Sequence, residues 1–270
     1  MNALKIMPLL LAAAALSCLL PGCEDRPAQH GSSSAPQSRP ATQAAPQQAS
    51  AGAAVAKPAA APWPPAPAGD MVLAPNLLAA NYYVVLDGSG SMTDSQCSGG
   101  TSKMEAAKNA LKEFAASVPA EANLGLLAFT ESRIRELVPL GGGNRKQFAE
   151  AVTSVTASGE TPLRSAITSG YAKLEAQAMR QLGYGRYILV VVTDGEASMS
   201  EDPRAQVSWM LASTPVELHT IGFCIGQNHS LNMPGRTMYK AADNPAALRQ
   251  GLVDVLAEAE TFDTATFEAQ

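Results

Sequence analysis

The sequence is poor in aromatic residues, histidine and cysteine. Aromatic side chains make up 5% of the 270 residues, and there are only 3 histidines and 4 cysteines. Few aromatic residues argue against a surface on which bases or sugars stack. A net charge of -5, without a long basic run, also lacks the electrostatic footprint of a nucleic-acid-binding protein. We therefore expect no nucleic-acid partner, while the 46% hydrophobic content is sufficient for a folded core.

The N-terminal apolar stretch is too short to cross a membrane comfortably. It runs from Ile6 to Leu20 after a single lysine, as in a secretory signal. It ends at Leu20-Pro21-Gly22-Cys23, which resembles the lipobox of bacterial lipoproteins. We interpret residues 1–22 as a lipoprotein signal peptide and Cys23 as the lipidated first residue of the mature chain. The alternative is an ordinary secretory signal followed by a chance cysteine.

The chain that follows is rich in Pro, Ala, Gln and Ser up to about residue 68. Such a composition cannot bury a core. Its prolines favour an extended conformation of about 3.1 Å per residue, so the stretched segment could reach on the order of 100 Å. We predict a lipidated, disordered tether over residues 23–75, a folded domain over 76–262 and a tail over 263–270.

The lipobox implies a protein held in the bacterial cell envelope by acyl chains such as palmitate, facing the periplasm. Each buried CH₂ of such chains contributes about 0.8 kcal/mol to membrane binding. Glu24, directly after Cys23, resembles the retention signal of some inner-membrane lipoproteins. We nevertheless favour the outer membrane, which is the more frequent destination.

Strand and helix alternate through the folded part. Apolar runs predict strands over 81–86, 122–130, 133–140, 186–192, 216–223 and 237–241, and helical patterns cover 103–118, 144–155, 162–180, 203–212 and 245–260. This pattern predicts an α/β fold with a doubly wound, mostly parallel sheet, helices on both faces and one antiparallel edge strand. We expect Lys103 and Lys108 to face solvent on the first helix, and Asn144 to cap the second.

Two of these strands end at carboxylates. The first is followed by Asp87-Gly88-Ser89-Gly90-Ser91, and the strand over 186–192 is followed by Thr193-Asp194. In open α/β sheets, ligands bind beyond the carboxyl ends of the strands. The glycines allow a tight turn in which Asp87, Ser89 and Ser91 aim oxygens at one point. We expect Asp87 and Ser89 to lie in a loop rather than in the core. Three hard oxygen ligands that face one point suit a hard cation.

Asp87-Gly88-Ser89-Gly90-Ser91, with Thr161 in a later loop and Asp194 after a later strand, resembles a von Willebrand factor A domain of a bacterial lipoprotein. The resemblance covers residues 76–260. It implies a metal-ion-dependent adhesion site (MIDAS) in which Ser89, Ser91 and Thr161 offer hydroxyl oxygens, while Asp87 and Asp194 bind directly or through water. Glu160 departs from the family pattern, because many relatives have glycine there, and its role is unassigned.

The chemistry of such a site favours Mg²⁺, with Mn²⁺ or Ca²⁺ as alternatives. Mg²⁺ requires six oxygen ligands and keeps several of its waters. Neutral hydroxyls and water-bridged carboxylates leave its charge largely uncancelled, so that an Asp or Glu carboxylate of a protein partner can enter as a further ligand. The sequence thus predicts a metal-dependent protein-binding module, for adhesion or scaffolding.

Two other functions stay open. A metal-assisted hydrolase or phosphatase would also use two carboxylates at strand ends. No candidate base is evident for it, since His30 lies in the tether, His219 lies within a strand and His229 follows the last long strand. We therefore expect no enzymatic activity. The third reading is a passive envelope spacer whose metal has only a stabilising role.

Cys97 and Cys224 are the two cysteines of the predicted domain. Both should project from the carboxyl edge of the sheet, and an exported chain meets an oxidising compartment in which such a pair is often bridged. Two independent thiols are the alternative, because a bridge requires Cα atoms within about 7 Å.

Overall fold

The computed structural model of the protein describes residues 62–260. The predicted signal peptide, Cys23 and the predicted tail lie outside these residues. In chain order the elements are β1 (Ala80–Asp87), a short 3-10 helix (Gly90–Thr93), α1 (Lys103–Ser117), β2 (Asn123–Thr130), β3 (Arg133–Gly141), α2 (Arg145–Ser154), α3 (Leu163–Arg180), β4 (Arg186–Thr193), α4 (Arg204–Ser213), β5 (Glu217–Phe223), β6 (Met238–Ala242) and α5 (Pro245–Glu260). Within the described part of the chain, no helix is both long and apolar enough to cross a membrane.

The six strands form one sheet in the order β3-β2-β1-β4-β5-β6. Only the edge strand β3 is antiparallel to its neighbour, and the other pairs are parallel. The predicted mostly parallel sheet with one antiparallel edge strand is therefore confirmed. Because β1 and β4 are parallel neighbours, with Leu86 opposite Val192, the two strands end side by side.

Helices cover both faces of the sheet, and β1 shows why its sequence is a continuous apolar run. Tyr82, Val84 and Leu86 point into a core formed with α1, α2 and α5. Tyr83 and Val85 alternate with them and point into a second core formed with α3 and α4. A central strand buried on both faces favours apolar side chains at successive positions, as residues 82–86 have here.

The start of α2 differs from the sequence prediction. Asn144 makes no side-chain bond to the helix backbone. Its Nδ2 instead donates to the carbonyl of Leu124 at 2.6 Å and to that of Pro139 at 3.2 Å. The predicted cap was wrong because the side chain instead donates to backbone carbonyls of the β2–β3 pair and so ties the turn to these strands.

The first helix, α1, is capped by Ser102, whose Oγ accepts a hydrogen bond from the Glu105 backbone N–H at 3.1 Å. The prediction that Lys103 and Lys108 face solvent was wrong, since they are only 4% and 8% exposed. The Lys108 ammonium pairs with Glu105 at 3.0 Å. Long apolar stems allow both lysines to lie along the protein while each ammonium reaches a carboxylate.

The chain already packs against the domain before the predicted boundary at residue 76. Trp63 Nε1 donates to the Tyr171 hydroxyl at 3.1 Å. The Trp63 ring also makes an edge-to-face contact with Tyr187, with ring centroids 5.0 Å apart. Such aromatic pairs add about 0.5–1.5 kcal/mol beyond their burial. The composition of this stretch, with almost no Leu, Ile or Val, gave no sign of these contacts.

Hydrogen bonds that involve the backbone of this segment continue the attachment up to β1. The Ala74 N–H donates to the Arg180 carbonyl at 2.8 Å, and Gln181 Nε2 donates to the Leu77 carbonyl at 2.8 Å. These partners lie at the C-terminal end of α3, close to where β4 begins. The segment is thus attached at the amino edge of the parallel strands, opposite the edge at which β1 and β4 end.

Candidate metal site

The two predicted carboxylates lie side by side at the carboxyl edge of the sheet. Asp87 is the last residue of β1, and Asp194 directly follows β4. Thr193 Oγ1 donates to Asp87 Oδ2 at 2.5 Å, which ties the ends of the two strands together. Asp87 is completely buried. The expectation that it lies in a loop outside the core was therefore wrong, because its strand is central in the sheet.

The serines connect one carboxylate to the other. Asp87 Oδ1 accepts a hydrogen bond from the Ser89 backbone N–H at 2.8 Å. The hydroxyls of Ser89 and Ser91 are 3.1 Å apart, and Ser91 Oγ donates to Asp194 Oδ1 at 2.7 Å. Ser89 is buried, whereas Ser91 is exposed. The hydroxyl chain therefore runs from the core to the surface.

Thr161 joins the same cluster from the loop before α3. A methyl group placed on Gly195 would lie 3.6 Å from Ser91 Oγ and 3.9 Å from Thr161 Oγ1, so both hydroxyls line one small space beside Asp194. The Thr161 N–H donates to Ser198 Oγ at 2.9 Å, and the Ser198 N–H donates back to the Thr161 carbonyl at 3.0 Å. All five predicted site residues are thus brought together.

Backbone contacts fix the loops that carry these hydroxyls. The Gly90 N–H donates to the Gly159 carbonyl at 2.9 Å, and the Ser158 N–H donates to the Gly88 carbonyl at 2.8 Å. Gly159 has a φ of +89°, and a Cβ there would lie 2.5 Å from the Ser132 backbone nitrogen. Glycine is needed at that position because any side chain would separate the loops.

Burial raises the pKa of Asp87 from 3.8 to about 6. Hydrogen bonds from Ser89 and Thr193 act in the opposite direction, and the nearby charge of Asp194 raises the pKa further. The dominant cause is desolvation, since a buried carboxylate loses its hydration shell. At neutral pH Asp87 is mostly ionised, at a free-energy cost that a cation in the site would offset.

Lys103 is part of the site, although the sequence did not indicate it. Its ammonium lies 2.9 Å from Asp194 Oδ2, and both side chains are almost fully buried, at 5% and 0% exposed. One available signal was its place directly after the helix cap Ser102, since a helix that follows a strand of such a sheet begins at the edge where ligands bind.

His229 holds the backbone next to Asp194. Its Nδ1 accepts a hydrogen bond from the Leu231 N–H at 3.1 Å, so in the neutral ring Nε2 carries the proton and donates to the Gly195 carbonyl at 3.0 Å. The ring stacks on Tyr239 with centroids 5.6 Å apart. Both nitrogens are therefore engaged, and His229 positions the loop rather than offering a free lone pair.

A disulfide closes one side of the site. Cys97 lies in the loop between the 3-10 helix and α1, Cys224 follows β5, and the two are bonded with Cα atoms 6.2 Å apart. The bond joins positions 127 residues apart in sequence. It fastens the loop that follows Ser91 to the carboxyl end of β5, the strand next to β4 in the sheet.

The donor set suits a hard cation. Residues 62–260 contain no group of three or more His, Cys, Asp and Glu side chains placed to hold a metal. Any metal here would therefore depend on hydroxyl oxygens in addition to the two carboxylates, a mixture that suits Mg²⁺. Glu160 is exposed beside Thr161 and adds negative charge at the rim. The residues fit a magnesium ion, with the Lys103 ammonium as an additional charge.

Comparison with known proteins identifies the class of domain. Residues 82–196 match the family model of the von Willebrand factor type A domain. The protein YwmD of Bacillus subtilis is 29% identical over an alignment of 160 residues, which covers 53% of this chain and 67% of the relative; that relative is described as uncharacterized. The chain therefore contains a von Willebrand factor type A (VWA) domain.

Solved structures show the same fold at low identity. The pilus adhesin SpaC of Lactobacillus rhamnosus GG superposes with a TM-score of 0.54 at 15% identity, over 69% of this chain and 31% of the adhesin. A von Willebrand factor type A protein of Catenulispora acidiphila gives a TM-score of 0.50 at 21% identity, over 67% of this chain and 43% of that protein. This chain thus spans about a third of the adhesin and less than half of the second protein.

Proposed function

We propose that the domain is a metal-dependent protein-binding module, for adhesion or scaffolding. The observation that carries this proposal is the meeting of Asp87, Asp194 and three hydroxyl side chains at the ends of the two central strands. The VWA fold, found also in a pilus adhesin, supports a binding function. Mg²⁺ is the proposed ion, with Mn²⁺ and Ca²⁺ as alternatives.

In this proposal the hydroxyls of Ser89, Ser91 and Thr161 would hold the ion, and the two carboxylates would bind it directly or through water. When bound, the ion supplies a positive charge that attracts an anionic ligand. Ser91 is the exposed member of the set, so the open side of the site lies there. An Asp or Glu carboxylate of a protein partner is the ligand that this arrangement favours.

The test is a pull-down from envelope extract with the full chain as bait, once with MgCl₂ and once with chelator. We expect a partner that is retained only with the metal and lost with Ser89→Ala. Ser117→Ala is the matched control, because Ser117 is an exposed hydroxyl on α1 away from the site. Retention by Ser89→Ala at the level of the control would contradict the proposal.

We further propose that the protein has no enzymatic role. Both ring nitrogens of His229, which contacts the Gly195 carbonyl next to Asp194, are engaged in hydrogen bonds. The test is turnover of generic phosphate and ester substrates in the presence of MgCl₂. Activity that is lost with Asp87→Ala would favour the hydrolase or phosphatase instead. A melting temperature that rises with Mg²⁺, without any metal-dependent partner, would favour the spacer.

Envelope attachment is proposed from Cys23 and the sequence before it. Acyl chains on Cys23 would hold the protein at a membrane facing the periplasm, preferably the outer membrane, with the Pro-rich residues as a spacer. Radiolabelled palmitate should enter the wild-type protein in cells and should not enter Cys23→Ser. Separation of the inner and outer membranes then identifies which of them carries the protein.

A further inference from the structure

The buried ammonium of Lys103 adds a positive charge beside the five predicted site residues. Its Nζ donates to Asp194 Oδ2 at 2.9 Å, while Ser91 Oγ donates to Asp194 Oδ1 at 2.7 Å. The Lys103 backbone N–H donates to the Asp94 carbonyl at 2.7 Å, just after the 3-10 helix that contains Ser91. The ammonium is therefore held in place by the same short stretch of chain that presents the hydroxyl.

Counting the buried charges shows what the ammonium changes. Two carboxylates and a dication would sum to zero, whereas the ionised Asp87 and Asp194 with Lys103 and a dication sum to one positive charge. The other carboxylates at the rim, Glu160 and Glu196, are exposed, so water and salt screen them. Unbalanced charge a few ångströms apart in a buried site is costly. A carboxylate entering from a partner restores neutrality.

We propose that Lys103 makes the binding of the metal and of the partner's carboxylate depend on each other. The ammonium opposes entry of a dication alone, and it leaves the loaded site positive, which strengthens the hold on an anionic ligand. Coupling of this kind is reciprocal: the carboxylate must raise the affinity for the metal by the same factor by which the metal raises the affinity for the carboxylate. This inference rests on the proposed metal-dependent function.

The experiment measures Mg²⁺ binding to the full chain by titration calorimetry, with sodium acetate as the carboxylate probe and sodium chloride at equal ionic strength as its control. Lys103→Met removes the charge and keeps the length of the stem, and Lys103→Arg keeps the charge. Lys108→Met is the matched control, because Lys108 is a buried lysine of the same helix that pairs with Glu105 instead.

We expect Lys103→Met to bind Mg²⁺ in chloride at least about tenfold more tightly than the wild type, since one unit of repulsive charge is removed. Acetate should tighten Mg²⁺ binding by the wild type and by Lys103→Arg, and by much less in Lys103→Met. Lys108→Met should match the wild type in both salts. A Lys103→Met variant that folds only when Mg²⁺ is present would also support the proposal, because the metal then replaces the missing cation beside Asp194.

Three results would overturn it. Equal Mg²⁺ affinities and equal acetate effects in the wild type and Lys103→Met would reduce Lys103 to a structural residue. The same conclusion follows if Lys103→Met does not fold at any Mg²⁺ concentration, or if Lys103→Arg binds the metal as tightly as Lys103→Met. Failure of the wild type and all variants to bind Mg²⁺, with or without acetate, would instead refute the metal-dependent function itself.

Discussion

Asp87 is the residue that best shows the free-energy cost of burying a carboxylate in this site. Its pKa is about 6 in the folded protein, compared with 3.8 as the ordinary value, chiefly because the side chain is buried. The folded state therefore holds this proton more tightly than the unfolded state does. The stabilisation from protonated Asp87 is complete below about pH 4 and is lost as the pH rises through 6.

The corresponding prediction concerns Asp87→Asn in metal-free buffer. An increase of the pKa from 3.8 to about 6 corresponds to a free energy on the order of 3 kcal/mol. Between pH 4 and 7 the wild type should lose about that much more unfolding free energy than the variant, which has no proton to release at this position. Urea unfolding at several pH values measures the difference. Parallel profiles for the two proteins would mean that Asp87 is not desolvated.

At the scale of single residues, sequence reasoning found the five residues that the structure brings together and missed the residues that hold them in place. Asp87 ends a buried strand, and Ser89 and Ser91 follow it in a recognisable pattern, so the sequence was sufficient to bring the three residues to one edge of the sheet, although not to show that Asp87 is buried within the strand. Lys103 and His229 act across the fold, and no local pattern distinguishes a lysine that faces a site from one that faces water. Their positions depend on how α1 and the loop before β6 pack against the ends of the strands.

Among the elements, the strands were the most predictable and the loop contacts the least. A central strand buried on both faces is a continuous apolar run, so β1, β2, β4 and β5 could be located closely from sequence alone. The cross-loop bonds from Gly90 to Gly159 and from Thr161 to Ser198 could not be located, because they depend on the relative positions of loops distant in sequence.

The disulfide acts at the level of elements, since it joins the loop before α1 to the residue that follows β5. Replacing both Cys97 and Cys224 by serine frees a loop of well over 100 residues, and the chain-entropy estimate gives a loss on the order of 4 kcal/mol. We also expect weaker Mg²⁺ binding, because the loop after Ser91 is no longer fastened to the sheet. Urea unfolding and titration calorimetry measure the two effects.

The oxidation state itself needs a separate measurement. Protein expressed in the periplasm should show no alkylatable thiol at Cys97 or Cys224 after denaturation without reductant, as read by mass spectrometry. Two alkylated thiols would show that the bridge does not form in that compartment. Wild type treated with reductant should then have the unfolding curve of the double serine variant, which provides the matched comparison.

For the molecule as a whole, the main feature is that the segment before β1 is attached at the edge of the sheet opposite the candidate metal site. Trp63 contacts Tyr171 and Tyr187 near the beginning of β4, while Asp194 follows the end of that strand. Residues 188–193 of β4 lie between Tyr187 and Asp194, which corresponds to roughly 20 Å at the usual rise of an extended chain. The chain thus enters at one edge of the sheet and the candidate metal site lies at the other.

Because of this separation, we expect a substitution at Trp63 to lower the stability of the domain without changing its affinity for the metal. Trp63→Ala removes a half-buried ring and its hydrogen bond to Tyr171, so we expect a loss of about 2 kcal/mol in unfolding free energy. The affinity for Mg²⁺ should stay at the wild-type value, because the site lies at the opposite edge. Leu78→Ala is the control, since Leu78 belongs to the same segment but is 75% exposed. If Trp63→Ala were as stable as this control, the segment before β1 would not be part of the folded domain; if it lost metal affinity, the two edges of the sheet would be coupled.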